Sequence, residues 1–229
     1  MKKRLVIFDL DGTLLNTIAD LAVATNEALR AMGYPTHAEE VIQTFVGNGV
    51  SKLLERSMPL DKRTEENIAL VRRHFMAYYD QHNADLSTPY PGIADMLSRL
   101  QEGGVMLAVA SNKYQSATEK LIARYFPHIN FVCVLGQRQG IPVKPSPDIV
   151  HEIMEKANVS RSDTLYVGDS GVDMQTAQNA HVDAIGVSWG FRPRAELEAF
   201  RPHAIIDGAG DLLMLLEGRP FPQVMTSPC

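Results

Sequence analysis

Asp9 and Asp11 stand one residue apart, directly after the apolar run Leu5-Val6-Ile7-Phe8. A short apolar run of this kind reads as a buried strand, so two carboxylates fall where a strand emerges into a loop. Gly12 follows and permits a turn that a residue with a side chain resists. Two negative charges in such a place are costly unless something positive lies beside them. Groups of matching chemistry occur further on. The apolar run Val105–Ala110 ends on Ser111-Asn112-Lys113, and Thr164–Val167 ends on Gly168-Asp169-Ser170-Gly171-Val172-Asp173. Between them, Val143-Lys144-Pro145-Ser146-Pro147 precedes a helical pattern. Asp9, Asp169 and Asp173 are oxygen donors, which favour a hard ion such as Mg²⁺. Lys144 adds a fixed positive charge. The Ser111 hydroxyl and the Asn112 amide are donors suited to phosphoryl oxygens. A carboxylate that attacks a phosphate dianion needs such cations. Unit charges about 4 Å apart at an effective dielectric near 20 interact by about 4 kcal/mol, and a dianion faces about twice that.

The elements that must position these groups follow from periodicity. Ile18, Leu21, Ala22, Thr25, Ala28, Leu29 and Met32 have helical spacing over 17–32. Thr17 and Asp20 are placed to form a capping box, and Gly33 suits the stop. Shorter helices are expected over 37–46 and 50–57, divided by Gly47-Asn48-Gly49. A long one is expected over 64–82, with Ile68, Val71, Phe75, Tyr78 and His82 on one side. Residues 15–84 thus read as all helical. After Thr88-Pro89-Tyr90-Pro91-Gly92 the pattern changes. Helices over 92–101, 114–125, 147–157, 172–180 and 210–217 alternate with strands over 105–110, 130–135, 164–167, 184–187 and 203–207. That alternation means a doubly wound parallel α/β sheet, a Rossmann-like core. The expected division is a core of residues 1–14 and 85–219, an all-helical cap at 15–84 inserted after the first strand, and a disordered tail at 220–229. In open sheets of this class, ligands sit at the carboxyl ends of the strands, where the polar groups above fall.

Composition narrows the partners. The 229-residue chain is 45% hydrophobic with a net charge of −5 and no basic block, so nucleic acid and anionic membranes are not expected. The apolar run after Lys2-Lys3-Arg4 is too short for a signal peptide, and no stretch is long enough to span a bilayer. Cys133 and Cys229 make no disulfide framework; Cys133 sits in an apolar run and reads as a buried small hydrophobe. A cytoplasmic protein, monomer or homodimer, is expected. The seven histidines are scattered without zinc-site spacing.

Taken singly, each polar cluster has an ordinary structural explanation: a loop or cap for Ser111-Asn112, a surface lysine for Lys144, a helix N-terminus for Asp169 and Asp173. Together, in this order at strand ends, Asp9-Leu10-Asp11-Gly12-Thr13-Leu14, Ser111-Asn112, Lys144-Pro145 and Gly168-Asp169 with Asp173 resemble the four motifs of the haloacid-dehalogenase-like hydrolases. The insert, with Gly47-Asn48-Gly49-Val50-Ser51-Lys52-Leu53-Leu54, is similar to the cap of the phosphoglycolate-phosphatase-like branch. Ser188-Trp189-Gly190-Phe191-Arg192 and Ala204-Ile205-Ile206-Asp207 resemble that branch's C-terminal part.

The resemblance implies a Mg²⁺-dependent phosphomonoester hydrolase acting on a small organic phosphate, with 2-phosphoglycolate the first choice. It implies Asp9 as nucleophile forming an aspartyl phosphate and Asp11 as general acid and base. The Asp9 side chain, the Asp11 backbone carbonyl and Asp169 are implied as metal ligands, with Asp173 behind them or acting through Lys144. Thr13, Ser111, Asn112 and Lys144 are implied around the phosphoryl group. Lys52 and Arg56, one helical turn apart, are candidates to meet a substrate carboxylate. Trp189, Phe191 and Arg192 are candidates for the mouth of the site. The alternatives are the same chemistry on a nucleotide, pyrophosphate or sugar phosphate, or a receiver-like domain that only accepts a phosphoryl group. Receivers carry adjacent acids and no helical insert, unlike Asp9-Leu10-Asp11 here.

Overall fold

All four residues of the first strand, β1 (Leu5–Phe8), are buried. Successive side chains of a strand point to opposite faces, so β1 requires cover on both sides, and the rest of the chain provides it. The computed structural model describes residues 2–217. After β1 come β2 (Leu15–Asn16), α1 (Ile18–Ala31), α2 (Glu39–Phe45), α3 (Val50–Ser57) and α4 (Glu65–His82). Then follow β3 (Thr88–Pro89), α5 (Ile93–Glu102), β4 (Met106–Tyr114), α6 (Gln115–Tyr125), β5 (Phe131–Gln137) and α7 (Asp148–Ala157). The chain continues through β6 (Thr164–Gly168), α8 (Gly171–Ala180), β7 (Asp183–Val187), α9 (Arg194–Ala199), β8 (Ala204–Ile206) and α10 (Ala209–Leu216).

Six parallel strands form the core sheet in the order β5-β4-β1-β6-β7-β8. Crossovers run outward from β1 through β4 and β5 on one side and through β6, β7 and β8 on the other. The winding therefore reverses beside β1, which places a crevice at its carboxyl end. One sheet face packs Val6, Phe8, Val109 and Val167 against α5, α6 and α10. The other packs Leu5, Ile7, Ala110 and Tyr166 against α7 and α8. Each fully buried large apolar side chain stabilises the fold by ~1.5–3 kcal/mol. Cys133 is among the buried residues of β5, as expected.

Helices α1 to α4 form the helical cap, with their own core around Leu29, Ile42, Leu54, Val71 and Phe75. The insert is not wholly helical, however. Leu15 and Asn16 pair antiparallel with Pro89 and Thr88, so the entering and leaving chains form a two-stranded ribbon. Two residues are too few for a periodic signal, which is why the sequence hides it. The expected Thr17–Asp20 capping box does not form, since Thr17 makes no side-chain cap bond. Both side chains are drawn to tertiary partners instead. The Thr17 hydroxyl donates to Asp11 at 2.6 Å. The Asp20 carboxylate accepts from the Leu86 and Ser87 backbone N–H groups and from the Ser87 hydroxyl across the returning linker.

Two more expectations shift. On α4 the inward residue is Tyr79, while Tyr78 and His82 stack on each other at the cap's margin. Strand β4 extends to Tyr114, with a register shift against β5 after Ala110, so Ser111, Asn112 and Lys113 end the strand rather than follow it. Helix α9 is an addition; it has one buried residue, Leu197, and hence no readable stripe. The tail expected at 220–229 lies outside the described residues. No helix among the described residues is long and apolar enough to cross a membrane.

Candidate active site

The site grows from three strand ends. Asp9 continues β1, its backbone N–H donating to the Val167 carbonyl at 2.9 Å. The chain then turns tightly, with Leu14 and Leu15 both donating back to the Leu10 carbonyl. Gly12 sits in this turn at φ +87, and a Cβ there would lie 2.3 Å from Asp169 Oδ2. Only glycine meets both conditions. Asp169 follows β6. Asp173 lies in the first turn of α8 and closes a capping box with Ser170, accepting from its N–H and from its hydroxyl at 2.6 Å.

Lys144 joins these pieces. Its buried ammonium lies 2.8 Å from Asp9 Oδ1 and 2.8 Å from Asp173 Oδ1. It also donates to the Ala110 carbonyl at 2.9 Å and the Tyr166 hydroxyl at 3.0 Å. Four protein oxygens thus surround three N–H donors, so Lys144 acts on Asp9 and Asp173 and holds no donor in reserve for a substrate. Carboxylate oxygens of Asp9, Asp169 and Asp173 all lie within 4.8 Å of one another. Three buried carboxylates therefore share one ammonium, so that with all three ionised two negative charges go uncompensated.

The electrostatics register that imbalance. Burial, reinforced by Asp173, pushes the Asp9 carboxyl up to about 7 despite Lys144. Burial, with Asp173 and Asp9, raises Asp169 well above the carboxylate range. Burial works against the Lys144 charge, but Asp173 and Asp9 outweigh it and hold the ammonium well above its ordinary value. A cluster of hard oxygen donors with a charge deficit of two fits a divalent cation of the Mg²⁺ type.

Asp11 is not part of that cluster. Its carboxylate takes the Thr17 hydroxyl on one oxygen and lies 3.1 Å from the Lys113 ammonium on the other. Its side chain is therefore kept apart from the metal-type group. The Ser111 hydroxyl oxygen accepts the Lys113 N–H at 3.1 Å, which leaves its proton available to the cavity it lines. Asn112 also lines the cavity, and its side chain has protein partners. Its amide nitrogen donates to the Lys144 and Gly47 carbonyls, and its oxygen accepts the Lys144 N–H. Both amide protons are engaged, so the side chain ties core to cap. Thr13 donates to Asp169 at 3.3 Å and thereby orients a member of the acidic cluster.

The mouth residues are structural partners of the same cluster. The Phe191 N–H donates to Asp169 Oδ2 at 2.7 Å, and the Trp189 indole N–H donates to the Thr13 carbonyl at 3.1 Å. Arg192 reaches across to the carbonyls of Gln43, Thr44 and Val46 in the cap. Lys52 and Arg56 are not brought to the cavity. Lys52 pairs with Glu55 at the surface, and Arg56 donates to the Phe45 carbonyl and to Asn48. Four groups escaped the sequence reading. Tyr166 was hidden in an apolar strand, Tyr79 in a helical stripe, and Lys113 beside two more conspicuous residues. Gly190 carries no chemistry of its own, yet a Cβ there would lie 2.2 Å from Asp169 Cβ.

The family model for haloacid dehalogenase-like hydrolases matches residues 6–187. A phosphoglycolate phosphatase from Vibrio parahaemolyticus is 34% identical over 215 residues, which are 92% of this chain and 94% of that protein. One from Haemophilus influenzae is 30% identical over 219 residues, covering 93% and 98% of the two chains. The crystal structure of a phosphoglycolate-phosphatase-like protein from Lactobacillus delbrueckii subsp. bulgaricus superposes with a TM-score of 0.88 at 34% identity, covering 94% of this chain and 99% of that one. By strand order, inserted cap, acidic cluster and sequence likeness alike, the chain belongs to the haloacid dehalogenase-like hydrolases, as a phosphatase of the phosphoglycolate-phosphatase-like branch.

Proposed function

We propose that the protein is a Mg²⁺-dependent phosphomonoester hydrolase that acts through an aspartyl phosphate on Asp9, with 2-phosphoglycolate as its substrate. The observation that carries this reading is the separation of two carboxylates one residue apart in sequence. Asp9 lies among Lys144, Asp169 and Asp173, while Asp11 lies outside that group against Thr17 and Lys113. Each acid has its own lysine, and this reading assigns attack to Asp9, inside the acidic group, and proton transfer to Asp11, outside it.

Asp9, Asp169 and the Asp11 backbone carbonyl would hold Mg²⁺ in this reading, with Asp173 fixing Lys144 behind them. Such an ion would supply positive charge against the phosphoryl group and the attacking carboxylate. Lys144, 2.8 Å from Asp9 Oδ1, orients that carboxylate. An Asp9 oxygen attacks phosphorus as the bond to the leaving oxygen breaks, and Asp11 gives that oxygen its proton. Asp11 then takes a proton from the water that attacks the aspartyl phosphate, and inorganic phosphate leaves with Asp9 restored. The Ser111 hydroxyl donates to a phosphoryl oxygen throughout. The cap, joined to the core through Asn112–Gly47 and Arg192–Val46, keeps bulk water out during the first step.

Hydrolysis of an aryl phosphate is the direct test. Activity is expected only with Mg²⁺, and Asp9→Asn is expected to abolish it in a folded protein. Full activity in excess chelator, or in Asp9→Asn, overturns the mechanism. A panel of phosphate esters ranked by kcat/KM tests the substrate, and 2-phosphoglycolate is expected to lead it.

A further inference from the structure

Lys113 is the penultimate residue of β4, with its side chain 3% exposed. Its ammonium donates to the Tyr79 hydroxyl of cap helix α4 at 2.8 Å and lies 3.1 Å from Asp11 Oδ2. These two partners use two of its three N–H donors. Lys113 and Tyr79 both line the cavity between cap and core, together with Leu21, Val50, Leu53 and Phe75. The other cations near this cavity are tied largely to protein oxygens. Lys144 is surrounded by four oxygens, and three of the five Arg192 N–H donors go to cap carbonyls. Lys52 and Arg56 do not line it. Lys113 is therefore a cation of the cavity wall with one N–H left for a ligand, and among the described residues it is the one that also touches Asp11.

Its position also fixes which part of a ligand it meets. The acid that protonates a leaving oxygen must touch that oxygen, and Lys113 is one hydrogen bond beyond Asp11. Beside Tyr79, the cap side chains that line the cavity (Leu21, Val46, Val50, Leu53 and Phe75) are apolar and offer an anionic leaving group no partner. The Tyr79 hydroxyl accepts from Lys113, which frees its own proton to donate. Burial, with Asp11 nearby, keeps that phenol protonated.

We infer that Lys113 and Tyr79 recognise a carboxylate on the leaving group, one carbon removed from the ester oxygen. This deepens the proposed function and rests on it: the substrate must be a phosphate ester of a short 2-hydroxy acid. A carboxylate so placed reaches Lys113 and Tyr79 while the ester oxygen stays on Asp11. The pair straddles core and cap, so the carboxylate also joins the two domains across the cavity. Lys113 then has two duties, holding Asp11 and reading the acid, and the second is separable by substrate.

The experiment measures kcat/KM for 2-phosphoglycolate and for 2-hydroxyethyl phosphate, which has equal length and no carboxylate. Wild-type enzyme is expected to prefer the acid. In Lys113→Met the preference is expected to fall tenfold or more, chiefly through KM for the acid, with partial recovery in Lys113→Arg. Tyr79→Phe removes one oxygen from a retained ring and is expected to lower the preference several-fold; circular dichroism melts report whether each variant folds. A preference in Tyr79→Phe and Lys113→Met equal to wild type, with both substrates slowed in parallel, overturns the inference and leaves Lys113 as a positioning residue for Asp11. A wild-type enzyme that hydrolyses both esters with no preference overturns the substrate reading itself. Extending the acid by one methylene, in 3-phosphonooxypropionate, is expected to lose most of the preference; retention of it counts against the placement.

Discussion

Asp9 and Lys144 meet at 2.8 Å with side chains 11% and 2% exposed, and the same ammonium touches Asp173 at 2.8 Å. Among the described residues, the lysine is thus the one fixed cation inside a group of three acids. Removing one partner of a buried ion pair leaves an uncompensated charge, at a cost of about 3–5 kcal/mol. Lys144→Met is therefore expected to lower stability by about that amount in urea denaturation and to leave less than a hundredth of the activity, with added Mg²⁺ failing to restore it. Wild-type stability in this variant would show that the pair is not what holds the cluster.

Three buried acids around one ammonium predict a strong linkage to divalent cations. A ligand that binds the folded state alone raises stability by about 2.7 kcal/mol at a hundred times its Kd. Mg²⁺ is expected to raise the Tm of the metal-free protein by several degrees, and Asp169→Asn is expected to remove most of that shift. Calorimetry with and without chelator measures both. An unchanged Tm in wild type would count against the cation site.

Gly190 tests packing around Asp169. An added Cβ would lie 2.2 Å from Asp169 Cβ and 2.5 Å from the Gly12 carbonyl oxygen, so the backbone must move. Overpacking of this kind costs about 1–3 kcal/mol. Gly190→Ala is expected to lose at least tenfold in kcat and to weaken Mg²⁺ dependence, seen as a higher Mg²⁺ concentration for half-maximal rate. Unchanged kinetics would mean the loop relaxes without disturbing Asp169.

Away from the site, Arg138 and then Lys156 hold the Glu152 carboxyl down to about 2, from an ordinary 4.5. A lowered folded value means that the stabilisation is present above pH 4.5 and is lost as pH falls from there towards 2. The pairs are partly solvated, so Glu152→Gln is expected to cost no more than about 1 kcal/mol at neutral pH, with the difference from wild type closing near pH 2. Urea denaturation at the two extremes checks this.

Much of this arrangement was legible because the chemistry sits where apolar runs end. Asp9, Ser111 and Asp169 each close a strand whose hydrophobicity is plain in the sequence, and a parallel sheet brings such ends together. Lys144 was legible only by its order among the motifs, since no strand leads into it. What the sequence concealed was of two kinds. Asn112 has the right chemistry for a phosphoryl ligand, but tertiary contacts with Lys144 and Gly47 take up its amide. Tyr79 and Tyr166 sit at ordinary core positions, and only the fold shows that their hydroxyls meet the ammonium groups of Lys113 and Lys144. Periodicity reports which face is buried; it is silent on what a buried polar tip will touch.

The ribbon of Leu15–Asn16 on Thr88–Pro89 bears on how the chain reaches this structure. β1 must pair with β4, Leu5 opposite Met106, across the whole length of the cap. Closing so long a loop is entropically costly, and the cost grows with the logarithm of its length. Once the cap has folded and its two ends are zipped together, the effective loop is roughly a quarter as long, which lowers the closure cost by about 1 kcal/mol. The ribbon thus makes the cap a folding shortcut for the sheet: changes that loosen the Leu15–Pro89 pairing should slow assembly of the core even where they touch neither substrate nor metal ligand.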